Sequence, residues 1–137
     1  MDKVPDTTKN RAVIGVGSNI DPDKHIPYAR KIIAGDHDLL AESSFVMTKP
    51  LGYADQPNFL NGVWLIETKL QLEDLRNYLK QLETVCGRIR TDNPNGPRTL
   101  DLDVVVWNGA VIDSDFYQRK FLRQAIRQVL PHLRIES

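Results

Sequence analysis

Two aspartates one residue apart, Asp101 and Asp103, follow a loop that holds Arg88 and Arg90 at one end and Arg98 at the other. The segment from Gly87 to Trp107 starts at a glycine, crosses that loop and enters a run, Leu100 to Trp107, that reads as a strand. Side chains on a strand alternate faces, so Asp101 and Asp103 share one side and Leu100 and Leu102 the other. Their Cα atoms stand roughly 6.5–7 Å apart, twice the strand rise. Two hard oxygen donors at that spacing suit one or two magnesium ions, and guanidinium groups upstream suit the polyphosphate that such ions accompany. The chemistry indicated is magnesium-dependent phosphoryl-type transfer. The competing reading is a surface ion-pair cluster, which would contribute little. The rest of the chain has to choose between the two.

Several elements must position these groups. Leu72, Leu75, Tyr78, Leu79, Leu82, Val85 and Cys86 recur at helical spacing, and Gly87 supplies the stop that hands Arg88 and Arg90 to the loop. Arg11 to Gly17 reads as a short buried strand. Its Gly15-Val16-Gly17 pair lacks the third glycine of a dinucleotide fingerprint, because position 20 is Ile20, and no Gly-Lys-Ser/Thr follows. These glycines are read as making a turn or allowing close packing. A helix starts near Lys24, with Asp21 or Asp23 as cap, Pro27 in its first turn and Gly35 as its stop. Leu39 to Met47 reads as a second strand, Thr48 to Pro57 as a loop rich in proline and glycine, and Phe59 to Thr68 as a third strand. Asn61 is a polar residue in that apolar run: either a strand-end position or an amide offered to a heterocycle. Asn108-Gly109 marks a two-residue hairpin into Ala110-Val111-Ile112. A last helix runs from about Phe116 to Leu130 or beyond. The order predicts an α+β fold, a ferredoxin-like βαββαβ sandwich with a C-terminal hairpin strand and helix. Residues 1–10 are expected to form a flexible tail and residues 11–137 one domain.

The totals narrow the function classes. The chain has 137 residues, enough for a substantial core, with 18 basic and 18 acidic residues. A zero net charge argues against a dedicated nucleic-acid binder. No apolar run approaches the length of a membrane span and no signal-peptide pattern opens the chain, so a soluble cytoplasmic protein is expected. The lone Cys86 sits at an apolar helical position and reads as packing. His25, His37 and His132 have no partner at zinc-ligand spacing.

Taken together, the landmarks resemble the 6-hydroxymethyl-7,8-dihydropterin pyrophosphokinase family of folate biosynthesis. The carriers are Gly15 to Ile20, Ser43-Ser44-Phe45, Thr48, Pro50-Leu51-Gly52, Asp55 to Asn61, Glu83, Gly87 to Arg90 and Gly96 to Asp103, in the family's order. The last of these motifs is highly specific, and the resemblance spans about Ile14 to Leu133. It implies transfer of a diphosphate from ATP to the pterin's hydroxymethyl oxygen with release of AMP. It implies two magnesium ions held by Asp101 and Asp103, and Arg88 and Arg98 as clamps on the transferred phosphates. Lys80, Glu83, Arg90, Val104 and Arg119 match positions near the nucleotide. Thr48, Lys49, Leu51 and Asn61 match the pterin pocket, with Phe59 and Phe121 stacking on the ring. Read from pattern alone, Phe59 and Phe121 would also serve as core residues. The partners implied are two small molecules and neither nucleic acid nor membrane, with the chain a monomer.

The chain also departs from the family. The run between Ile112 and Arg119 is short and lacks a nucleotide-contacting histidine and tyrosine, Asp113 and Ser114 standing there instead. Asn95 replaces a loop tryptophan, Lys49 replaces a small residue or proline, and the chain stops at Ser137, earlier than the family pattern. These differences affect lid closure and nucleotide grip more than the aspartate pair. They keep a second class open: a weakened relative that binds a pterin or nucleotide as a regulatory module. A third is a structural interaction domain whose aspartates are merely solvated.

Overall fold

The structure is a computed structural model that describes residues 9–49, 55–87, 99–114 and 118–133. The elements are β1 (Asn10–Ser18), α1 (Pro22–Asp36), β2 (Asp38–Glu42), β3 (Val46–Thr48), β4 (Phe59–Thr68), α2 (Leu72–Val85), β5 (Asp101–Trp107), β6 (Ala110–Val111) and α3 (Lys120–Val129). The strands form one sheet in the order β2-β4-β1-β5-β6, with β3 also beside β4, and every pairing is antiparallel. Among the described residues the antiparallel sheet carries three helices, an α+β architecture compatible with the expected ferredoxin-like plan.

The sheet is covered on both faces. Ala12, Ile14, Val16, Trp64, Ile66, Leu102 and Val104 pack with Ile26, Ala29 and Ile33 of α1 and Leu75, Leu79 and Leu82 of α2. Val13, Val63, Leu65, Val105 and Val106 pack with Leu122, Ala125, Ile126 and Val129 of α3. Val105 and Val106 are neighbours on one face because the register shifts: Val13 pairs with Val106 and Ile14 with Val104. The bulge at Val105 lets Asp101 and Asp103 lie on the α3 face while Trp107 turns to the other.

Local sequence explains most boundaries. Gly87 lies at φ +86° after α2, and Asn108 and Gly109 at φ +49° and +85° make the tight turn between β5 and β6. Four expectations need correction. Residues 39–47 are not one strand: β2 ends at Glu42 and β3 begins at Val46. At the break, Ser43 N–H donates to Val63 O at 3.0 Å and Val63 N–H donates back to Ser43 Oγ at 2.9 Å, so a hydroxyl replaces a ladder carbonyl. Gln128 of α3 accepts from Ser44 N–H at 2.7 Å. The first helix starts at Pro22, and Asp21 caps it with its backbone carbonyl, which takes Lys24 and His25 N–H, not with its carboxylate. Gly35 does not stop that helix, which continues to Asp36 and closes at His37. α3 begins at Lys120, later than the apolar spacing suggested.

Beside the end of α1, His37 packs edge-on against Tyr78 at 4.7 Å, and Tyr78 donates to Asp36 at 2.8 Å. Burial lowers the His37 pKa, with Asp36 and Asp38 opposing. Burial of the Cys86 thiol raises its pKa, in keeping with a packing role.

Gly62 lies on the α1–α2 face, where a Cβ would stand 2.5–2.7 Å from the Phe45 ring, itself 6.3 Å from Trp64. Gly62→Ala is expected to destabilise the fold by about 1–3 kcal/mol, the usual scale of overpacking. Chemical denaturation checks this, and adding Phe45→Leu should recover part of the loss.

Candidate active site

The α3 face of the sheet carries the chemistry beyond the end that the helix covers. β1 lies between β4 and β5, and its register places Gly17 opposite Asn61 on one side and Asp101 on the other. One step along, Gly15 lies between Val63 and Asp103. Residues directly opposite on adjacent strands share a face, so Asn61, Gly17 and Asp101 form one row and Val63, Gly15 and Asp103 the next. Asn61 and Asp101 are about 10 Å apart along this row, two interstrand spacings. β3 extends the surface, with Val46 opposite Asn61 and Thr48 opposite Phe59.

The two glycines leave the middle of this surface bare. A Cβ at Gly17 would stand 2.8 Å from Asn61 Oδ1 and 3.9 Å from a Phe59 ring carbon. At Gly15 it would stand 3.2 Å from a Val105 methyl. Close packing, not a turn, is therefore their role. Asn61 is buried, and its Nδ2 donates to Thr48 Oγ1, which leaves Oδ1 over Gly17. Asn19, also buried, donates to Gln56 Oε1 at 2.8 Å and Pro57 O at 3.1 Å and so ties the end of β1 to the approach to β4. Asp101 is half-buried and Asp103 exposed, and each has interaction partners.

Thr48, Phe59, Asn61, Asp101 and Asp103 are thus brought onto one face. Phe59 and Phe121 are both half-buried, and Phe121 packs against the α3-side core with the Arg119 guanidinium 4.5 Å from its ring centre. Lys49 is exposed immediately after β3. Val104 faces the α1–α2 core, and Lys80 is exposed on α2. Glu83 is 3% exposed, and its Oε2 accepts the Leu102 N–H at 2.7 Å. Arg88, Arg90, Arg98 and Leu51 lie outside the described residues, as does Asn95. Sequence reasoning did not find the glycine cradle or the Glu83–Leu102 bond. The signal for the first was two glycines at strand spacing; for the second, an acidic residue beside an otherwise apolar helical stripe.

The donor set fits magnesium. Two carboxylates on one strand face, the outer one exposed, border backbone that carries no side chains. Among the described residues no group of three or more acidic, histidine or cysteine side chains is gathered as a metal cage. That arrangement suits an ion held by one or two carboxylates plus substrate phosphates. Thr99 Oγ1, two residues before Asp101, is buried without a hydrogen-bond partner among the described residues.

The molecule is an α+β protein with an amide, a glycine cradle and a carboxylate pair aligned across three strands. The family model for 7,8-dihydro-6-hydroxymethylpterin-pyrophosphokinase (HPPK) matches residues 13–136, and the chain belongs to that family. It is similar to the 2-amino-4-hydroxy-6-hydroxymethyldihydropteridine pyrophosphokinases of three bacteria. Identity to the Haemophilus influenzae protein is 37% over 107 residues, covering 76% of this chain and 66% of the relative. For Pseudomonas aeruginosa it is 38% over 106 residues, covering 75% and 65%. For Bacillus subtilis it is 32% over 141 residues, covering 93% and 83%. The matches to the first two span just under two thirds of those relatives.

Gly17→Ala is expected to push the Asn61 amide off Gly17 and cost about 1–3 kcal/mol, because the added methyl overpacks a tight contact. The Asn61 side-chain NH2 resonances in a two-dimensional NMR spectrum should move more than those of Asn10.

Proposed function

We propose that this chain transfers the terminal diphosphate of ATP to the hydroxymethyl oxygen of 6-hydroxymethyl-7,8-dihydropterin in folate biosynthesis, releasing AMP. In this reaction the hydroxyl oxygen bonds to the β-phosphorus, the bond from that phosphorus to the α–β bridging oxygen breaks, and the hydroxyl proton is released. One observation carries the reading: the carboxylate pair and the Asn61 amide occupy one sheet face, in a chain of the pterin pyrophosphokinase family. The names of these relatives support the reaction and its acceptor.

Asn61 and Thr48 would bind the pterin edge, since an amide supplies both a donor and an acceptor. Phe59 and Phe121 would stack on the ring, Arg119 leaving the Phe121 face it now covers. Leu51 and Lys49 would line the same pocket. Asp101 and Asp103 would hold two magnesium ions, which when bound would neutralise phosphate charge and favour ionisation of the attacking hydroxyl. Arg88 and Arg98 would grip the transferred phosphates, because a planar guanidinium matches phosphate oxygens bidentately. Arg90, Lys80, Glu83, Val104 and Arg119 would border the nucleotide. Positioning and electrostatics carry most of the rate in such transfers. Asn95 and the short run before Arg119 would then weaken closure over ATP more than the transfer itself. Among the described residues no helix is long and apolar enough to cross a membrane, and we place the reaction in the cytoplasm, in a monomer that requires neither nucleic acid nor membrane.

The test is AMP release from ATP with magnesium and the hydroxymethyl-dihydropterin, measured by chromatography. AMP formed only when the pterin is present supports the proposal; none above a blank rejects it. Asp103→Ala should lower turnover by at least about a hundredfold, the scale seen when one electrostatic stabiliser is lost. Its fold should survive, because Asp103 is exposed. Arg98→Lys should cost at least about tenfold in turnover, since an ammonium cannot reproduce the two-point grip.

A further inference from the structure

We propose that Glu83 positions the aspartate pair through the strand backbone, by holding the N–H of the residue between them. β5 has β1 along one side. On its other side β6 reaches only Val106 and Trp107. At Leu102 that edge has no strand partner among the described residues. In an antiparallel pair successive N–H groups point to opposite edges. The Leu102 N–H points outward, so those of Asp101 and Asp103 point inward, towards Gly17 and Gly15. The outward N–H is taken by the Glu83 carboxylate at 2.7 Å, from a side chain that is 3% exposed.

A buried carboxylate is costly unless its oxygens are satisfied. On this edge it supplies what a neighbouring carbonyl would, in a stronger, charge-assisted form. Glu83 approaches from α2, on the sheet side opposite the faces of Asp101 and Asp103. The Leu102 backbone thus links Glu83 to the pair across the strand. With β1 on one edge and Glu83 on the other, rotation of the segment bearing both carboxylates would break a hydrogen bond on each edge. That preorganisation is what a two-carboxylate site needs to present its oxygens together.

For the reaction it serves, this inference rests on the pyrophosphokinase reading, but its test does not need turnover. The measurements are amide hydrogen exchange at Leu102 by NMR and Mn2+ titration followed by electron paramagnetic resonance, on wild type, Glu83→Gln and Glu83→Met. Glu83→Met should speed Leu102 exchange at least about tenfold and weaken Mn2+ binding about tenfold or more, the usual cost of losing an outer-shell partner. Glu83→Gln keeps an acceptor oxygen but loses its charge, so both quantities should fall between wild type and the Met variant. Where turnover is measurable, Glu83→Met should lower kcat by a larger factor than it raises the KM for ATP, because positioning of the aspartates acts on the transfer beyond any contact with the nucleotide. Unchanged Leu102 exchange in Glu83→Met, or a Gln variant as impaired as the Met variant, overturns the proposal. So does an effect confined to the KM for ATP. If Glu83→Met fails to fold, the Gln variant decides: faster Leu102 exchange together with weaker Mn2+ binding upholds the role, and no change in either, or weaker Mn2+ binding with unchanged Leu102 exchange, rejects it. A wild type that binds Mn2+ and protects Leu102 but makes no AMP would reject the pyrophosphokinase reading and leave the Glu83 proposal standing.

Discussion

The site depends on one steric condition: the strand at its centre must have no side chains on the working face. β1 carries glycine at positions 15 and 17, opposite Asn61 and Val63 of one neighbour and Asp101 and Asp103 of the other. A β-carbon at Gly17 would stand 2.8 Å from Asn61 Oδ1, so the amide can lie over the strand only because nothing projects from it. Glycine in a strand interior weakens the strand. β1 offsets this by its place in the sheet, hydrogen-bonded on both edges and packed between two cores. The carboxylate end and the amide end are thereby set one strand either side of a shallow, bare surface.

The remaining elements keep that surface open and its two ends in register. α3 covers the sheet over Val13, Val63, Leu65, Val105 and Val106, and the bulge at Val105 lets the apolar half of β5 serve this helix while its acidic half shares the same face. Ser43, Gln128 and Asn19 tie the irregular segments to the sheet through side-chain bonds to backbone and, for Asn19, also to the Gln56 side chain. Rigid elements hold functional groups more accurately than loops do. Here the aspartates, Asn61 and Phe59 are all on strands.

What could be read from the amino-acid sequence was whatever depends on near neighbours. β4 and α2 were legible from apolar runs at periods of two and 3.6, and the Asn108-Gly109 hairpin from residues that accept positive φ. The alternation that put Asp101 and Asp103 on one face was legible for the same reason. The break between β2 and β3 was not, because Ser43 acquires its role only when Val63 arrives from 20 residues away. Asp21 was chosen for its carboxylate but works through its carbonyl, in a left-handed conformation that a general capping preference does not specify. Glu83 was read as a residue near the nucleotide, and its bond to Leu102 appears only once α2 is packed beside β5. Family landmarks linked Thr48, Phe59 and Asn61 to the aspartates, whereas pattern alone reads Phe59 as a core residue.

The central claim is geometric: a metal held by Asp101 and Asp103 would lie on the same sheet face as the Asn61 amide, about two interstrand spacings away. Paramagnetic broadening by Mn2+ tests it most directly. With Mn2+ added at a fraction of the protein concentration, the side-chain NH2 signals of Asn61 should broaden strongly. Those of Asn10, at the far end of β1, should broaden much less, and Asp103→Ala should remove the difference. Equal broadening at Asn61 and Asn10, or broadening at Asn61 that survives Asp103→Ala, would contradict the account.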